Sequence, residues 1–317
     1  MPSAPSELHV VFGTGPLGLA TLRCLRARGH RVRMINRSGR VGFEKDPETE
    51  LGGGDAADPR LTREVCEGAT AVYHCVGLPY PRWSEFPAIM RGIVEGAASA
   101  GAKLVYGDNV YAYGHVTGSI REDLPETATT VKGRIRAEVA GILREAHKSG
   151  KVRAAIGRAS DFFGPGVTDA SMLGGRVFER LLAGRSAQVV GKPDRLHSYT
   201  YIDDFAGALV MLASRDEALG HTWLVPNAPA ISTRAIIERI ASLAGVAPKV
   251  SALPSFLVGL LGLFDGQLRE LKEMLYEFED DFVIDDTRAR NTLGLTPTPL
   301  DQSLAATLTW WKERTSR

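Results

Sequence analysis

The sequence has few cysteines, no excess of either charge and no long apolar run. Its only cysteines are Cys24, Cys66 and Cys75, and they form no C-x-x-C pair. We therefore expect no disulfide framework, no metal site and a reducing, cytoplasmic environment. The 38 basic and 37 acidic residues nearly cancel, which argues against a nucleic-acid partner. The most apolar stretch, 253–264, is shorter than the roughly 20 residues of a membrane-spanning helix, so no membrane association is predicted.

Short apolar segments alternate with amphipathic ones over the first half of the chain. The strand-like segments are 9–12, 32–35, 51–55, 71–76, 103–106 and 152–157, and the clearest helix-like ones are 16–28, 84–100 and 131–148. Such alternation with short joints predicts an α/β fold, a Rossmann doubly wound parallel sheet with helices on both faces. From about Asp161 the elements become shorter and more irregular. We therefore predict a dinucleotide-binding domain over 1–160 and a smaller C-terminal α/β substrate lobe over 161–317, interleaved with the last Rossmann elements.

A glycine-rich turn joins the first predicted strand to the first predicted helix. Its residues are Gly13, Thr14, Gly15, Pro16, Leu17 and Gly18. In a G-x-G-x-x-G turn the first glycine allows a tight bend, the second lets a pyrophosphate approach the backbone, and the third lets helix and sheet pack closely. The free amides of the helix N-terminus then bind the anion. The alternative is a glycine turn that holds no ligand.

The end of the second predicted strand indicates which cofactor is bound. NAD binders usually carry Asp or Glu there, on the ribose 2′-hydroxyl, whereas this chain has Asn36, Arg37 and Ser38. Because an arginine can pair with a 2′-phosphate, we predict NADP(H) over NAD(H). The alternative is that Arg37 is merely solvated. Further predicted cofactor residues follow the third and fourth strands: Asp55, Ala56, Cys75, Val76 and Gly77. Asp55 accepts from the adenine amino group or, equally, closes a turn.

The order of these motifs along the chain resembles that of the extended, and more narrowly the atypical, short-chain dehydrogenase/reductases, which are relatives of the NAD-dependent epimerase/dehydratases. The resemblance spans nearly the whole chain. It rests on the glycine turn, Gly54-Asp55, Val105-Tyr106 before Tyr113-Gly114, Arg136-Ala137-Glu138, the run from Arg158 to Gly166, Tyr201-Ile202-Asp203-Asp204, and the C-terminal pattern from Asp285 to Trp310.

In the family that the chain resembles, a Ser or Thr, a Tyr and a Lys four residues after it carry out proton transfer. Counting from the matching motifs places Asn109, Thr130 and Arg134 at these positions. A threonine hydroxyl does not ionise near neutral pH, and an arginine can hold a ribose or an anion but cannot relay a proton. The resemblance therefore implies a displaced proton donor, for which Tyr111 is the first candidate. The alternative is that Tyr111 only packs its ring.

The resemblance also assigns residues on both sides of the reaction. Arg134 and Ser160 are expected to contact the cofactor. The expected substrate-side residues are Tyr80, Trp83, Asp161, Phe162, Phe163 and His197. His197 stands where relatives that bind nucleotide sugars often carry an arginine. Because a neutral imidazole is a poor partner for a diphosphate, this position disfavours a nucleotide-sugar substrate.

Three functions are compatible with these observations. The first is an NADP(H)-dependent oxidoreductase that reduces a carbonyl or imine of a small organic substrate. The second is an epimerase or dehydratase, which the missing tyrosine disfavours. The third is a non-catalytic NADP(H)-binding sensor that acts on a partner. The apolar residues of 254–280 form core, a lid over the substrate or a subunit contact, and the last of these leaves a homodimer open.

Overall fold

A computed structural model of the chain describes residues 6–41, 47–169, 171–261 and 272–315. Its strands are β1 (Leu8–Phe12), β2 (Arg31–Asn36), β3 (Thr49–Gly53), β4 (Ala71–His74), β5 (Lys103–Asn109), β6 (Ala154–Ala159), β7 (Phe162–Phe163), β8 (Ala187–Val190), β9 (Leu196–His197), β10 (Thr200–Tyr201), β11 (Thr222–Leu224), β12 (Ile231–Ser232) and β13 (Val250–Leu253). Its helices include α1 (Pro16–Arg26), α2 (Pro59–Cys66), α3 (Phe86–Ser99), α4 (Val131–Lys148), α5 (Phe178–Leu182), α6 (Ile202–Ser214), α7 (Thr233–Ala244) and α8 (Ser255–Leu261), followed by Tyr276–Glu279, Thr287–Leu293 and Leu300–Thr315. Part of the apolar segment singled out in the sequence, 262–271, lies outside the described residues.

The central element is a seven-stranded sheet in the order β11-β6-β5-β4-β1-β2-β3. The pairs β1–β2, β1–β4, β2–β3 and β4–β5 are parallel. Strands one to six therefore have the order of a doubly wound Rossmann sheet. From β1, the chain first adds strands on one side, β2 and β3, and then adds β4, β5 and β6 on the other. The predicted α/β class and Rossmann sheet are confirmed. Ligands of such sheets bind outside the carboxyl ends of the strands between β1 and β4, where the strand order reverses.

Burial explains why the first strands read as continuous apolar runs. All five residues of β1 and all four of β4 are buried, as expected for central strands covered on both faces. β3 was predicted two residues too late, because pairing with β2 fixes its bounds: Val32 lies opposite Thr49 and Asn36 opposite Gly53. β6 was likewise predicted two residues too early.

The helix predicted over 84–100 begins later than expected. A 3-10 helix occupies Tyr80–Glu85, and α3 starts at Phe86 with a proline in its first turn. Ser84 thus lies inside the 3-10 segment and does not cap α3. The sequence pattern could not separate the two because both bury one side: Trp83 and Phe86 are each buried.

Contacts divide the chain into two compact units. The first comprises 1–112, 134–158 and 205–223, and the second comprises 113–133, 159–204 and 224–317. The core of the first unit packs α3 and α4 against the sheet through residues such as Phe86, Ile93 and Leu143. The predicted division into 1–160 and 161–317 stays a prediction about domains.

The second unit is built from short strand pairs around its own core. β7 pairs with β10 and β8 with β13, both in parallel, and β9 pairs with β12 in antiparallel fashion. Its core includes Phe178 and Trp311, whose rings stack with centroids 6.4 Å apart. None of the described helices is both long enough and apolar enough to cross a membrane.

Candidate functional site

Two glycines of the turn after β1 are required by the packing of the chain itself. Gly13 has φ +108°, and a Cβ there would lie 2.4 Å from the carbonyl oxygen of Cys75. A Cβ at Gly18 would lie 1.9 Å from the carbonyl oxygen of Gly13. The turn therefore passes directly beside the end of β4, at the reversal of strand order, and helix α1 packs tightly onto it.

Gly15 differs from these two glycines. Its backbone is extended, with φ −75° and ψ −176°, and a Cβ there would meet no heavy atom of the described residues within 4 Å. It is the N-cap of α1 and has no side chain to accept from the first-turn amides. Open space above a backbone with exposed amides fits the pyrophosphate of a dinucleotide.

Asn36 organises the loop that follows β2. Its Nδ2 donates to Thr14 Oγ1 at 3.0 Å and to the carbonyl of Arg40 at 2.7 Å. Its Oδ1 accepts from the amides of Ser38 at 3.0 Å and Gly39 at 2.7 Å. Asn36 thus joins the loop after β2 to the glycine turn, a role that sequence reasoning missed because it depends on two strands lying side by side.

Arg37 is half-exposed and lies among carboxylates. Its Nη2 is 3.0 Å from Glu85 Oε2 and 3.9 Å from Asp55 Oδ2. Asp55 Oδ1 accepts from the amide of Ala57 at 3.0 Å, as a turn carboxylate does. The neighbouring Ala56 packs beneath α3, since a Cβ at Gly92 would lie 2.1 Å from its carbonyl oxygen.

The residues after β4 combine a buried thiol with an open loop. Cys75 is buried, and its Sγ lies 3.7 Å from Thr21 Oγ1. Burial raises the pKa of this thiol to about 12, so it is an unreactive packing group. The amide of Val76 donates to His74 Nδ1 at 3.3 Å, and burial lowers the pKa of His74 to about 3. At Gly77 a Cβ would meet nothing within 4 Å.

Several of the predicted aromatic residues come together in the first unit. The Tyr111 ring lies 6.0 Å from that of Trp83, nearly parallel to it, and Tyr80 meets Trp83 edge-on at 5.1 Å. Asn109 Oδ1 accepts from the amide of Tyr111 at 3.1 Å. Trp83 is buried and donates to the carbonyl of Leu78. Asn109 therefore fixes the backbone that carries Tyr111, and Trp83 provides the surface against which Tyr111 rests.

A buried cation lies behind this aromatic group. The Arg136 guanidinium stands 4.2 Å from the centre of the Trp83 ring and donates to Tyr106 Oη at 2.5 Å. Burial alone would lower the pKa of Arg136, but Tyr106, Asp108 and Tyr111 together raise it. Tyr111 and Arg136 thus both lie against the ring of Trp83.

Asp108 anchors this cation from the sheet. It lies 3.5 Å from Arg136 Nη1 and accepts from Arg158 Nε at 3.0 Å, and the side chains of Asp108 and Arg158 are fully buried. Sequence reasoning missed this network. The sequence feature that could have revealed the network is an aspartate within a β-strand, together with two arginines in buried elements.

Thr130 and Arg134, which the resemblance assigns to the family's Tyr and Lys positions, lie at the start of α4. Thr130 Oγ1 accepts from the amide of Gly133 at 3.0 Å, as an N-cap residue does. Arg134 is exposed. Beside them, Lys132 is buried and paired with Glu273, whose carboxylate also accepts from the amide of Val131 at 2.7 Å.

The predicted substrate-side residues of the second unit lie close to one another. Asp161 Oδ2 is 3.2 Å from His197 Nε2. The His197 ring is parallel to Phe278, with centroids 5.6 Å apart, and stacks on Tyr199 at 4.5 Å. Phe163 is buried and Phe162 half-buried. The amide of the buried Ser160 donates to Thr200 Oγ1 at 3.2 Å. The His197 ring is therefore packed among aromatic rings and lies beside the carboxylate of Asp161.

Glu277 is a buried titratable residue that the sequence did not single out. It is 1% exposed, and its Oε1 has no hydrogen-bond partner within the described part of the chain. Burial raises its pKa well above the ordinary value, and the charge of Asp161 acts in the same direction. Buried titratable groups of this kind cluster at functional sites. Because its neighbours Tyr276 and Phe278 are apolar, the sequence pattern indicates core packing and gives no sign of a functional carboxyl group.

Comparison with known proteins agrees with this geometry. A model of the NAD dependent epimerase/dehydratase family matches residues 10–225. No curated protein matches the sequence.

Three solved structures illustrate the fold that the chain shares. A dTDP-glucose 4,6-dehydratase from Bacillus anthracis, in complex with NAD, is 14% identical over 98% of each chain with a TM-score of 0.81. An epimerase from Methanothermobacter thermautotrophicus is 16% identical over 98% of this chain and 94% of its own, with a TM-score of 0.83. A UDP-glucuronic acid 4-epimerase from Bacillus cereus, in complex with NAD, is 16% identical over 98% of each chain, with a TM-score of 0.78.

Proposed function

The chain belongs to the NAD dependent epimerase/dehydratase family, and from this premise we propose that it is an NADP(H)-dependent oxidoreductase that reduces a carbonyl or imine of a small organic substrate. The observation that carries the proposal is that Tyr111 and the buried Arg136 both lie against the ring of Trp83. By its resemblance to the family, the chain has Thr130 and Arg134 where the usual tyrosine and lysine would stand. The nicotinamide cofactor would supply the hydride. The residues of this chain bind it, orient it and supply a proton.

The cofactor would be held mainly by the loops after β1, β2 and β4. The backbone at Gly15 and the first turn of α1 suit the pyrophosphate. Asn36 holds the loop after β2 against Thr14, which keeps Arg37 and Ser38 at the edge of the site. Arg134, exposed and permanently charged, is proposed to contact the ribose.

The preference for NADP(H) rests on Arg37. The end of β2 carries no carboxylate that would repel a 2′-phosphate. Glu85, at 3.0 Å from Arg37, is partly exposed and is also paired with Arg82, and a phosphate can form a bidentate pair with a guanidinium. Glu85→Gln should therefore strengthen NADPH binding by freeing Arg37.

Arg37→Asp tests this preference directly. One lost charge-assisted hydrogen bond is worth about 1.5–3 kcal/mol, so the affinity for NADPH should fall roughly 10- to 150-fold, while that for NADH is kept. The matched control is Arg91→Asp, which changes an exposed arginine of α3 that pairs with Glu138. Equal affinities for NADPH in the wild type and in Arg37→Asp would remove Arg37 from the 2′-phosphate.

The proton donor is proposed to be the Tyr111 phenol. A nearby cation favours the phenolate, which is the role of the lysine in related enzymes. Arg136 offers such a charge without titrating itself.

A panel of carbonyls, imines and quinones, followed by NADPH absorbance, would identify a substrate. With that substrate, Tyr111→Phe should lower kcat by two orders of magnitude or more and leave NADPH affinity unchanged. Full activity of Tyr111→Phe would exclude Tyr111 as donor.

Two other functions have support and are separable by the same assays. An epimerase or dehydratase is favoured by the family and would turn over its substrate without net consumption of NADPH. A sensor is favoured by Thr130, whose hydroxyl is used to cap α4. It would bind NADPH tightly and turn over no member of the panel.

The remaining expectations stay proposals. The partner is a small molecule, rather than a nucleic acid or a membrane, and the protein acts in the cytoplasm. Sedimentation of the purified chain would distinguish a homodimer from a monomer.

A further inference from the structure

The amino ends of β1 and β2 bring together three side chains that no part of the proposed reaction uses. Glu7 immediately precedes β1, His9 is the second residue of β1, and His30 immediately precedes β2. The two strands are parallel neighbours, with Leu8 opposite Arg31. The amide of Arg31 donates to the carbonyl of Glu7 at 3.0 Å. Strand pairing therefore brings His30 beside Glu7 and His9, although 20 residues separate His9 from His30 in the sequence.

The side chains of these residues converge on one point. His9 Nε2 lies 3.4 Å from Glu7 Oε2, and the rings of His9 and His30 have centroids 4.4 Å apart. One ligand atom from each of the three residues lies within 4.8 Å of the others. Ligands of a tetrahedral zinc ion are about 3.4 Å apart, given bonds of about 2.0–2.2 Å. Small rotations of Glu7 and His30, both partly exposed, would close the set around the buried His9.

The Nε2 atom of His9 faces Glu7 Oε2 across 3.4 Å and is oriented to bind a ligand. His9 is 5% exposed, and its Nε2 has no hydrogen-bond partner within the described residues. Its other nitrogen, Nδ1, lies 3.2 Å from Tyr73 Oη. Tyr73 is fully buried. Metal-binding histidines are usually oriented in this way by a hydrogen bond to the nitrogen that faces away from the metal.

We propose that Glu7, His9 and His30 bind a divalent transition-metal ion of the zinc class at the amino ends of β1 and β2. Two imidazole nitrogens and one carboxylate oxygen suit zinc, cobalt or nickel and not calcium or magnesium, which need oxygen ligands. The cysteine count had predicted no metal site, but these ligands are histidines and a carboxylate. The glycine turn lies at the other end of β1, so the ion would stabilise the first unit and take no part in hydride transfer.

The test is titration of the metal-free, full-length protein with zinc alone in a non-chelating buffer. Calorimetry should report one zinc ion per chain, and the thermal unfolding midpoint should rise with zinc because the ion binds the folded state only. His30→Ala and Glu7→Gln, which alter partly exposed residues, should each weaken zinc binding at least about tenfold. Cobalt should show tetrahedral d–d absorption in the wild type that is lost in His30→Ala.

Two further variants make the test specific. Tyr73→Phe removes only the hydroxyl that orients His9 and should weaken zinc binding about 10- to 100-fold. His115→Ala removes an exposed histidine of the second unit and should leave zinc binding unchanged. The proposal would be overturned if the wild type bound no zinc at micromolar concentration. It would also be overturned if His30→Ala bound zinc as tightly as the wild type.

Discussion

Replacement of Gly15 by alanine should weaken cofactor binding while leaving the fold intact. A Cβ at this position meets no heavy atom of the described part of the chain within 4 Å, and φ −75° is open to any residue. The added methyl group would instead project into the space through which the pyrophosphate is proposed to approach the backbone. The substitution should therefore lower the affinity for the cofactor and leave the stability of the protein nearly unchanged.

The magnitude follows from the hydrogen bonds that a displaced phosphate would lose. A hydrogen bond to a charged group contributes about 1.5–3 kcal/mol, and about 1.4 kcal/mol is a factor of ten in Kd. Loss of one such bond predicts a Kd for NADPH that is roughly 10- to 150-fold higher. Exchange of glycine for alanine at an N-cap should lower the free energy of unfolding by no more than about 1 kcal/mol.

Calorimetric titration with NADPH and unfolding in urea measure the two quantities separately. The matched comparison is Gly18→Ala, whose Cβ would lie 1.9 Å from the backbone oxygen of Gly13. That variant should lose several kcal/mol of stability, because two backbone segments must move apart. Wild-type affinity for both NADPH and NADH in a folded Gly15→Ala protein would refute the placement of the pyrophosphate.

Three further predictions concern stability. Because burial raises the pKa of Glu277 above its ordinary 4.5, the folded protein keeps a proton that the unfolded chain releases, and stability should fall as pH rises from about 4.5 toward the raised value. Glu277→Gln should flatten this slope, and an unchanged slope of unfolding free energy against pH would contradict the assignment. Asp108→Asn should cost about 3–5 kcal/mol because Arg158 loses its buried counter-charge; a wild-type urea midpoint would count against it. Thr130→Ala should cost about 1 kcal/mol through loss of the bond to the Gly133 amide, whereas Thr130→Ser should not. Equal thermal midpoints of those two variants would show that the cap contributes nothing.

Local signals in the sequence determined the Rossmann core. The buried runs of β1 and β4, and the spacing of the glycines at 13, 15 and 18, are patterns that each span only a few residues. They are therefore visible in a one-dimensional pattern. Counting back from Glu138 also predicts that Thr130 and Arg134 replace the family's tyrosine and lysine, a prediction that needs only the local sequence. The bounds of β3 were less accurate, because pairing with β2 sets them and not the apolar run.

Only the tertiary structure decided which polar groups meet. Asn36 meets Thr14, and Asp108 meets Arg158, through the packing of segments that are 22 and 50 residues apart in the sequence. Hydrophobic periodicity records how deeply a residue is buried, but it does not record its partner. The sequence therefore predicts core around Glu277, and only the fold shows that its carboxyl is buried there. The sequence likewise leaves Arg37 open to a phosphate, and only the fold shows Glu85 beside it.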